Sequence, residues 1–509
     1  MVSVEIRFDS IDRPLLTPAT RYFRMDTSTN CGQEGISLAK GRLHFLADAE
    51  IRRIHETSIR ILEDVGVAVH SPSTVRLLEE HGARVSEQKR VHIPRELVVS
   101  ALASAPKSVL LAAQDRKLDL RIPSERLFVT CGGQAAFVKN LISGDSRYCT
   151  TEDLRDFAIF VERLPQIDFM WMIVGALDQP QHLKDLVELK TCLEFTTKHV
   201  QTMPSSAESA VGMIRLASTL SGGREELEKR PLFSAVQCPV SPLTFEKGLT
   251  ESQVEFARAG IPVVAMVAAV AGLTAPVTLS GTIAQTNAEN LASLVISQAS
   301  RKGAPWIYSS DSSAGNLRTG SIDYGTFETQ LIRAGAGQMG RFYGLPTMVA
   351  ALGLEETTQH LSSVHEGVPF MVVQSLPESD LASGLGGVDQ AASASFEQLL
   401  VDAWVWEVAR EFPRTFVADD DAISYDTISA AGVEGTYLKS RHTISRFKDE
   451  FASISKSDAV LTSYQENGTK GSLLRKAYEK SRLILSEPKT PVISKRESET
   501  ISRELKNSR

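Results

Sequence analysis

The 509-residue sequence lacks several features that would assign it to a specialised class of protein. It has no apolar run near the roughly 20 residues that a membrane span needs, and no charged-then-apolar signal pattern at the N-terminus. Its formal net charge of −7 argues against a nucleic-acid-binding protein, because no basic surface dominates. These absences favour a cytoplasmic protein without membrane or nucleic-acid partners.

The sequence is also poor in cysteine, and the five cysteines stand far apart, at positions 31, 131, 149, 192 and 238. An odd, scattered set favours reduced thiols over a disulfide framework. No CxxC, HExxH or Cys/His cluster is present, so we predict no metal site. The composition, 42% hydrophobic and 23% charged, is that of an ordinary globular protein with about two to four domains or one large barrel with an attachment.

The N-terminal part of the sequence predicts a flexible arm followed by helices. Residues 1–43 are mixed and rich in Gly, Ser and Thr, which is typical of a flexible arm. From Asp48 apolar residues recur at helical spacing, and further helices are predicted over 73–82 and 94–104. We therefore predict an N-terminal helical region over 44–122.

Residues 123–415 show a different pattern, in which eight short apolar runs alternate with longer amphipathic stretches. The runs are LFVTCG (127–132), DFMWMIV (168–174), HVQTM (199–203), LFSAVQ (232–237), PVVAMV (262–267), WIYSS (306–310), TMVAAL (347–352) and FMVVQS (370–375). Near-continuous apolar strands are typical of parallel sheets buried on both faces. The alternation predicts an α/β protein with a (β/α)₈ TIM barrel.

The C-terminal part of the sequence is more charged. Residues 416–487 predict a C-terminal helical extension, with a helical pattern after position 460. The final stretch, 488–509, is rich in Lys, Glu, Ser and Arg and predicts a disordered tail.

The stretch AGLTAPVTLSG (271–281) follows the fifth apolar run, where a barrel strand ends and a helix begins. Active sites of such barrels lie at these carboxyl ends. Hydroxyls of Thr274 and Thr278, together with free N–H groups of the helix start, could hold a polar or anionic group. The alternative is a tight loop whose threonines bond to their own backbone.

Other predicted strand ends carry polar and aromatic side chains that could line a cavity. The candidates are Gln134, Trp171, Gln237, Tyr308, Asp311, Tyr324, Phe327, Glu355, His360, Asp389 and Gln390. Aromatic ring faces and carboxylates suit an organic cation. Each aromatic could instead pack in the core, and Glu355 could lie in an exposed loop. GAGQMG (335–340) matches GxGxxG but lies inside a helical pattern and precedes a strand, so it is not a dinucleotide-binding motif.

The assembled motifs resemble the corrinoid-dependent trimethylamine methyltransferase family over roughly 44–487. The resemblance rests on the stretch 50–85, IPRELV (93–98), TTEDLRDFA (150–158), CPVSPL (238–243), GLTAPVTLSG (272–281), RTGSIDYGTFE (318–328) and GLGGVDQAASASFEQL (384–399). It implies a barrel enzyme that moves a methyl group from a methylated amine to the Co(I) of a separate corrinoid protein. This chain contains no DxHxxG run, so the resemblance implies that the partner supplies the corrinoid (cobalamin).

The resemblance also bears on the substrate and the site residues. Relatives that act on trimethylamine carry pyrrolysine, whereas this sequence has only standard residues, which favours a quaternary amine such as glycine betaine. Glu355, Asp311 and His360 are then the candidate catalytic residues, and Thr274 with Thr278 would hold the betaine carboxylate. We also expect a homo-oligomer. The alternatives are a TIM-barrel lyase or hydrolase and a non-catalytic binder of methylated amines.

Overall fold

Eight parallel strands form a closed barrel whose strand order follows the chain. The computed structural model describes residues 38–39, 42–354, 364–412, 416–450 and 472–506. The strands are β1 (Phe128–Cys131), β2 (Met170–Trp171), β3 (Val200–Thr202), β4 (Phe233–Gln237), β5 (Val263–Val267), β6 (Trp306–Ser310), β7 (Thr347–Ala351) and β8 (Leu381–Leu385). β8 pairs with β1, and a parallel bridge between Thr130 and Phe169 closes the ring. The predicted (β/α)₈ fold class is confirmed.

A helix follows each strand and covers the outside of the barrel. The helices are α1 (Thr151–Glu162), α2 (Gln181–Phe195), α3 (Ala207–Ser221), α4 (Lys247–Ala259), α5 (Leu279–Ser300), α6 (Phe327–Phe342), α7 (Val364–Ser375) and α8 (Phe396–Ala409). A capping box begins α1, because the Thr150 hydroxyl accepts from the Asp153 N–H and the Asp153 carboxylate accepts from the Thr150 N–H. The described helices include none with the length and apolar character that crossing a membrane would need.

Seven of the eight apolar runs contain the barrel strands, and the eighth prediction is wrong. FMVVQS (370–375) is the end of α7, and the eighth strand is the later LASGL of Leu381–Leu385. A six-residue apolar run fits a buried helix as well as a strand, so hydrophobicity alone does not separate them. The true strand contains Ser383 and Gly384, which weaken its apolar signal.

The N-terminal region covers the outside of α5 and combines helices with short strands. The helices are Asp48–Arg60, Pro72–Glu80 and Arg95–Ser104. Strands Val67–Val69, Arg84–Val85 and Arg90–His92 join Thr244–Phe245 from the β4–α4 loop in a four-stranded sheet. A second pair, Val109–Leu111 with Leu120–Ile122, leads into the barrel. Because α5 is covered on both sides, it is buried along most of its length.

Residues after α8 form a strand and five described helices. Phe416–Val417 pairs with Leu38–Ala39, and the helices are Asp420–Ile423, Tyr425–Ala431, Arg441–Glu450, Ser472–Ser486 and Lys495–Lys506. The last helix differs from the disordered tail expected over 488–509. Ile501 is fully buried, and Ser498 Oγ donates to Glu194 Oε1 of α2 at 2.5 Å. A narrow apolar face therefore docks this otherwise charged helix on the barrel.

Candidate active site at the barrel mouth

A cavity of about 520 Å³ opens at the carboxyl ends of the barrel strands. Its described lining comes from the ends of β1, β2, β5, β7 and β8, from the segment after β6, and from α6 and α7. This is the position at which barrel enzymes place their active sites. Two short sheets stand around the opening: one combines Val270–Ala271 with Ser313–Asn316 and Ser321–Asp323, and the other contains Phe137–Lys139 and Gly387–Val388.

A chain of hydrogen bonds fixes the polar wall of the cavity. Arg333 of α6 donates through Nη2 to Asp311 Oδ1 at 3.1 Å and through Nη1 to Gln374 Oε1 at 3.0 Å. The Tyr324 hydroxyl donates to Asp311 Oδ2 at 3.0 Å. The Arg333 side chain is only 3% exposed, so its charge is held within the protein. The guanidinium is thereby oriented before any ligand binds.

Three buried donors in this lining have no hydrogen-bond partner in the described part of the chain. They are Arg333 Nε, Gln374 Nε2 and Trp171 Nε1. A buried donor without an acceptor costs about 1–3 kcal/mol, and such groups are rare in folded proteins. Their concentration in one cavity points to a ligand that brings hydrogen-bond acceptors.

The same cavity has an aromatic and acidic side. The rings of Trp171, Tyr324 and Phe370 line it, together with the carboxylates of Asp311 and Asp323. Arg333 is the one cationic side chain of the described lining. Together with the two carboxylates, it gives the described lining a formal charge of −1. Ring faces and carboxylates both attract an organic cation.

Gly133, just after β1, lets the Trp171 ring reach its position. A Cβ at residue 133 would stand 2.3 Å from Trp171 Cε2, closer than any side chain tolerates. The absence of a side chain therefore sets the place of the largest ring in the cavity. Any larger residue at this position would force the indole to move.

A strained turn after β8 forms another part of the wall. Asp389, Gln390 and Ala391 have φ values of 55°, 57° and 65°, a left-handed conformation that non-glycine residues rarely adopt in succession. Lys139 Nζ binds Asp389 Oδ1 at 2.5 Å and ties the turn to the hairpin after β1. Gln390 and Ala391 line the cavity. Backbone strain of this kind clusters at functional sites.

Comparison with known proteins shows the family of this chain. The trimethylamine methyltransferase (MTTB) family matches residues 22–507, nearly the whole chain. The chain belongs to this family. The family resemblance and the enzyme class predicted from the sequence are confirmed: the protein is a methyltransferase.

Individual family members are similar over most of their length. The chain is 28% identical to the trimethylamine methyltransferase MttB of Desulfitobacterium hafniense (strain DSM 10664 / DCB-2), covering 89% of this chain and 92% of the relative. It is 26% identical to a glycine betaine methyltransferase of D. hafniense (strain Y51), covering 82% and 87%. Among solved structures, the Methanosarcina barkeri monomethylamine methyltransferase (MtmB) superposes with a TM-score of 0.48 at 11% identity, covering 86% of each chain.

The structure brings four of the predicted site residues of this methyltransferase to the cavity. They are Trp171, Asp311, Tyr324 and Gln390. Trp171 ends β2, Asp311 directly follows β6 and Gln390 follows β8. Tyr324 lies farther along, in the segment between β6 and α6, directly after the short strand Ser321–Asp323. Glu355 and His360 lie outside the described residues.

Five other predicted residues lie outside the described lining, and four of them bond elsewhere. The Tyr308 hydroxyl donates to Asn287 Oδ1 of α5 at 3.2 Å in the core, and burial raises the pKa of Tyr308 well above its ordinary value. Gln237 Nε2 donates to Ser252 Oγ at 3.2 Å.

Phe327 begins α6 and is 81% exposed. Gln134 Nε2 donates to Glu188 Oε2 of α2 at 3.1 Å, and Asp389 reaches Lys139 rather than the cavity. The described cavity lining therefore contains fewer of the predicted polar side chains than their positions near strand ends suggested.

The AGLTAPVTLSG junction forms a turn that bonds largely to itself. Thr274 Oγ1 accepts from the Val270 N–H at 2.9 Å, and Thr278 precedes α5 without a side-chain cap. Neither threonine belongs to the described cavity lining. The geometry therefore matches the second of the two interpretations, a tight loop that bonds to its own backbone.

Sequence reasoning missed Arg333 and Gln374, the two central polar groups of the wall. Arg333 stands between Ile332 and Ala334 on a buried helix face, and a buried arginine is rare unless it is paired. The arginine within an apolar helix face was the feature of the sequence that could have identified this site residue. Gln374 was hidden within the run that predicted the wrong eighth strand. Within the described ranges, no group of three or more His, Cys, Asp or Glu side chains could hold a metal ion.

Proposed function

We propose that this methyltransferase takes a methyl group from a betaine, a quaternary amine that also carries a carboxylate, and transfers it to the Co(I) of a corrinoid on a separate protein. The observation that carries the proposal is the set of unpartnered buried donors of Arg333, Gln374 and Trp171 beside an aromatic, acidic wall. A zwitterion matches both sides, whereas trimethylamine has no carboxylate.

The substrate carboxylate would bind at Arg333 and Gln374. Arg333 Nε and Gln374 Nε2 are donors without acceptors, and the guanidinium supplies the positive charge. Asp311 would hold the guanidinium in place through its hydrogen bond to Nη2. This assignment replaces Thr274 and Thr278 as the carboxylate site, because both lie outside the described lining.

The quaternary ammonium would lie among the aromatic rings of Trp171, Tyr324 and Phe370. Their faces attract a cation that donates no hydrogen bonds, and Asp311 and Asp323 add charge attraction. Gln390 would complete this side from the turn after β8. Holding both ends of the substrate would aim one methyl group at the open mouth.

In the transfer itself, the C–N bond would break and its electron pair would stay on nitrogen, so the product would keep the substrate carboxylate and carry an uncharged tertiary amine nitrogen. Co(I) supplies the electron pair of the new Co–CH₃ bond and becomes methyl-Co(III). No proton is needed at nitrogen, because the group that leaves the methyl carbon of a quaternary ammonium is already an uncharged tertiary amine. The protein's contribution is to position the substrate and exclude water.

A panel of methylated amines tests the proposal. Glycine betaine, longer betaines, choline and trimethylamine would each be incubated with free cob(I)alamin and with a purified corrinoid protein as acceptors. Formation of methyl-Co(III) is read by absorbance, and the demethylated amine by mass spectrometry. We expect at least one betaine to exceed choline and trimethylamine about 100-fold in kcat/KM, the value of one charged hydrogen-bonded contact. Equal turnover of choline, or no transfer from any betaine, would reject the proposal.

A further inference from the structure

Glycine is concentrated in the wall of the cavity at the barrel mouth. The described lining has 21 residues, and seven of them are glycines, compared with 33 of 509 in the whole chain. The seven are Gly132, Gly133, Gly325, Gly353, Gly367, Gly384 and Gly387. Glycine loses more conformational freedom on folding than any other residue, so each of them lowers stability unless the structure needs it. The contacts that a Cβ atom would make show which of them the fold needs.

Four of these glycines are required by close packing within the protein. Gly133 leaves room for the indole described above. A Cβ at Gly353 would stand 2.3 Å from the Gly384 carbonyl oxygen, and a Cβ at Gly384 would stand 2.9 Å from the Gly353 nitrogen. A Cβ at Gly367 would stand 3.0 Å from Leu354 Cδ1. A side chain at any of these positions would disturb the barrel itself, so they give no information about a ligand.

Gly132 and Gly387 differ, because no described neighbour requires a glycine there. A Cβ at Gly132 would come no closer than 3.9 Å to any described residue beyond its chain neighbours, and the nearest atom to a Cβ at Gly387 is the Gly384 carbonyl oxygen at 3.5 Å. Neither φ value is in the left-handed region, so no backbone strain opposes a side chain. The Gly387 Cα is among the atoms 3.9 Å from a Cβ at Gly132, so the two glycines border one space. Gly325 is also open, with Asp323 Oδ1 at 3.8 Å.

The space beside Gly132 and Gly387 lies across the mouth from the polar wall. Gly132 follows β1 and Gly387 follows β8, which pairs with β1, and Trp171 ends the neighbouring strand β2. Asp311, which holds Arg333, follows β6, and β6 is four strands from β2 in the ring of eight. Opposite strands of such a barrel lie about 12 Å apart, because neighbouring strands are about 4.8 Å apart. The guanidinium and the indole therefore belong to opposite sides of the cavity.

We propose that Gly132 and Gly387 determine substrate size: they leave space for the trimethylammonium end of a long betaine, with three or more carbons between nitrogen and carboxylate. The inference rests on the proposed function, in which the unpartnered buried donors of Arg333 and Gln374 bind the carboxylate. Glycine betaine has a single carbon between the two groups, so its ammonium would stay near Arg333. A longer betaine reaches the Trp171 ring, and its methyl groups lie against the two glycines. The cavity of about 520 Å³ agrees, because pockets of about 300–1,000 Å³ enclose drug-sized ligands, which are much larger than glycine betaine.

A series of substrates of increasing length tests the proposal on the full-length chain. Trimethylammonium carboxylates with one, two, three and four carbons between nitrogen and carboxylate would be assayed for methyl transfer to cob(I)alamin. The same compounds would be titrated into the protein by calorimetry without any acceptor. In the wild type, kcat/KM and affinity for the two longest compounds should exceed those for glycine betaine about 10-fold, the value of a desolvated contact between an ammonium and an aromatic ring.

A single added methyl group tests the role of the glycines. In Gly132→Ala, the ratio of kcat/KM for the longest compound to that for glycine betaine should fall about 10-fold or more, because the new methyl group occupies space that the ammonium needs. Gly387→Ala should act in the same direction. Gly175→Ala is the matched control: it lies after β2 but outside the described lining, its Cβ would meet Glu188 Oε1 at 3.4 Å, and the ratio should not change. Urea denaturation should show all three variants folded.

Three outcomes would overturn the inference: a wild type that does not favour the longer compounds, a ratio that Gly132→Ala leaves unchanged, and an equal loss for every chain length. The last would assign the space to the approaching methyl acceptor. The two measurements also separate this inference from the proposed function. Length-dependent binding without methyl transfer would reject the proposed function alone, whereas transfer from glycine betaine without a preference for longer compounds would reject this inference alone.

Discussion

Two groups of buried polar side chains, one at each end of the barrel, differ in whether their donors have acceptors. At the amino ends of the strands, Lys198 Nζ donates to the carbonyls of Val161, Leu164 and Ile167 at 2.7–2.8 Å. Next to it, His199 bonds through Nδ1 to the Ala112 carbonyl and through Nε2 to Ser234 Oγ. At the mouth, Arg333, Gln374 and Trp171 keep donors that no described group accepts.

The difference separates residues that stabilise the fold from residues available to a ligand. A buried polar group that has all its hydrogen-bond partners contributes to stability and has no donor or acceptor left for a ligand. A buried donor without a partner lowers stability and gains an acceptor only when a ligand arrives. The strained turn at 389–391 adds to the same pattern, because it lies at the mouth and its conformation is unfavourable in isolation.

The largest expected effect is at the mouth. Arg333→Met should lower kcat/KM for glycine betaine about 100- to 1000-fold, because the substrate carboxylate loses a charged donor worth about 3–4 kcal/mol. Steady-state kinetics with cob(I)alamin as acceptor measures the loss. Arg333→Lys, which keeps the charge but not the planar fork, should retain part of the activity. An equal loss of any measurable choline turnover would mean that Arg333 does not bind the carboxylate.

At the opposite end, replacement of a fully partnered group should reduce stability and not activity. Lys198→Met should lower the free energy of unfolding by about 3 kcal/mol, because three buried carbonyls lose their donor. Urea denaturation measures the change, and Lys302→Met, at an exposed lysine, is the matched control. A reduced kcat/KM in folded Lys198→Met would contradict the division between the two ends.

A buried histidine at the amino ends of the strands should make the free energy of unfolding depend on pH. The Ala112 carbonyl can only accept, so the proton of His199 is on Nδ1, and Nε2 accepts from the Ser234 hydroxyl. Burial lowers the pKa of His199 to about 4, below its unfolded value of about 6.5. The unfolded chain therefore binds the proton first as the pH falls, and stability present above about pH 6.5 is lost towards pH 4, by up to about 3 kcal/mol.

A variant isolates this histidine from other titrating groups. His199→Gln has a donor and an acceptor but no titration in this range. Its unfolding free energy should fall less steeply than that of the wild type between pH 6.5 and pH 4. Parallel curves for the two proteins would show that His199 is not the source of the acid sensitivity.

The local sequence pattern predicts most of the barrel strands and some of the residues at the mouth. Seven strands and the positions of Trp171 and Asp311 follow from apolar runs and from the rule that barrel sites lie at strand ends. Tyr308 shows where that rule is too coarse. It is the third residue of β6 and bonds to α5, whereas Asp311 directly follows the strand and reaches the cavity.

The remaining site residues depend on contacts between distant segments. Arg333 and Gln374 meet because α6 and α7 both point buried polar side chains towards the mouth, and nothing in either local sequence specifies that encounter. The position of the eighth strand was predicted wrongly for a related reason. A short apolar run is buried in either conformation, and only the packing of the whole barrel decides between helix and strand.

The smallest expected effect concerns the strained turn, whose ion pair is partly exposed. Lys139→Met should raise KM for the betaine about fivefold with little change in kcat, because the turn at 389–391 loses its anchor and Gln390 leaves its place more often. Lys139→Arg keeps the charge and should restore KM. Hydrogen exchange of residues 386–395 should quicken in Lys139→Met alone. An unchanged KM together with faster exchange would mean that the ion pair holds the turn in place but that the turn does not position the substrate.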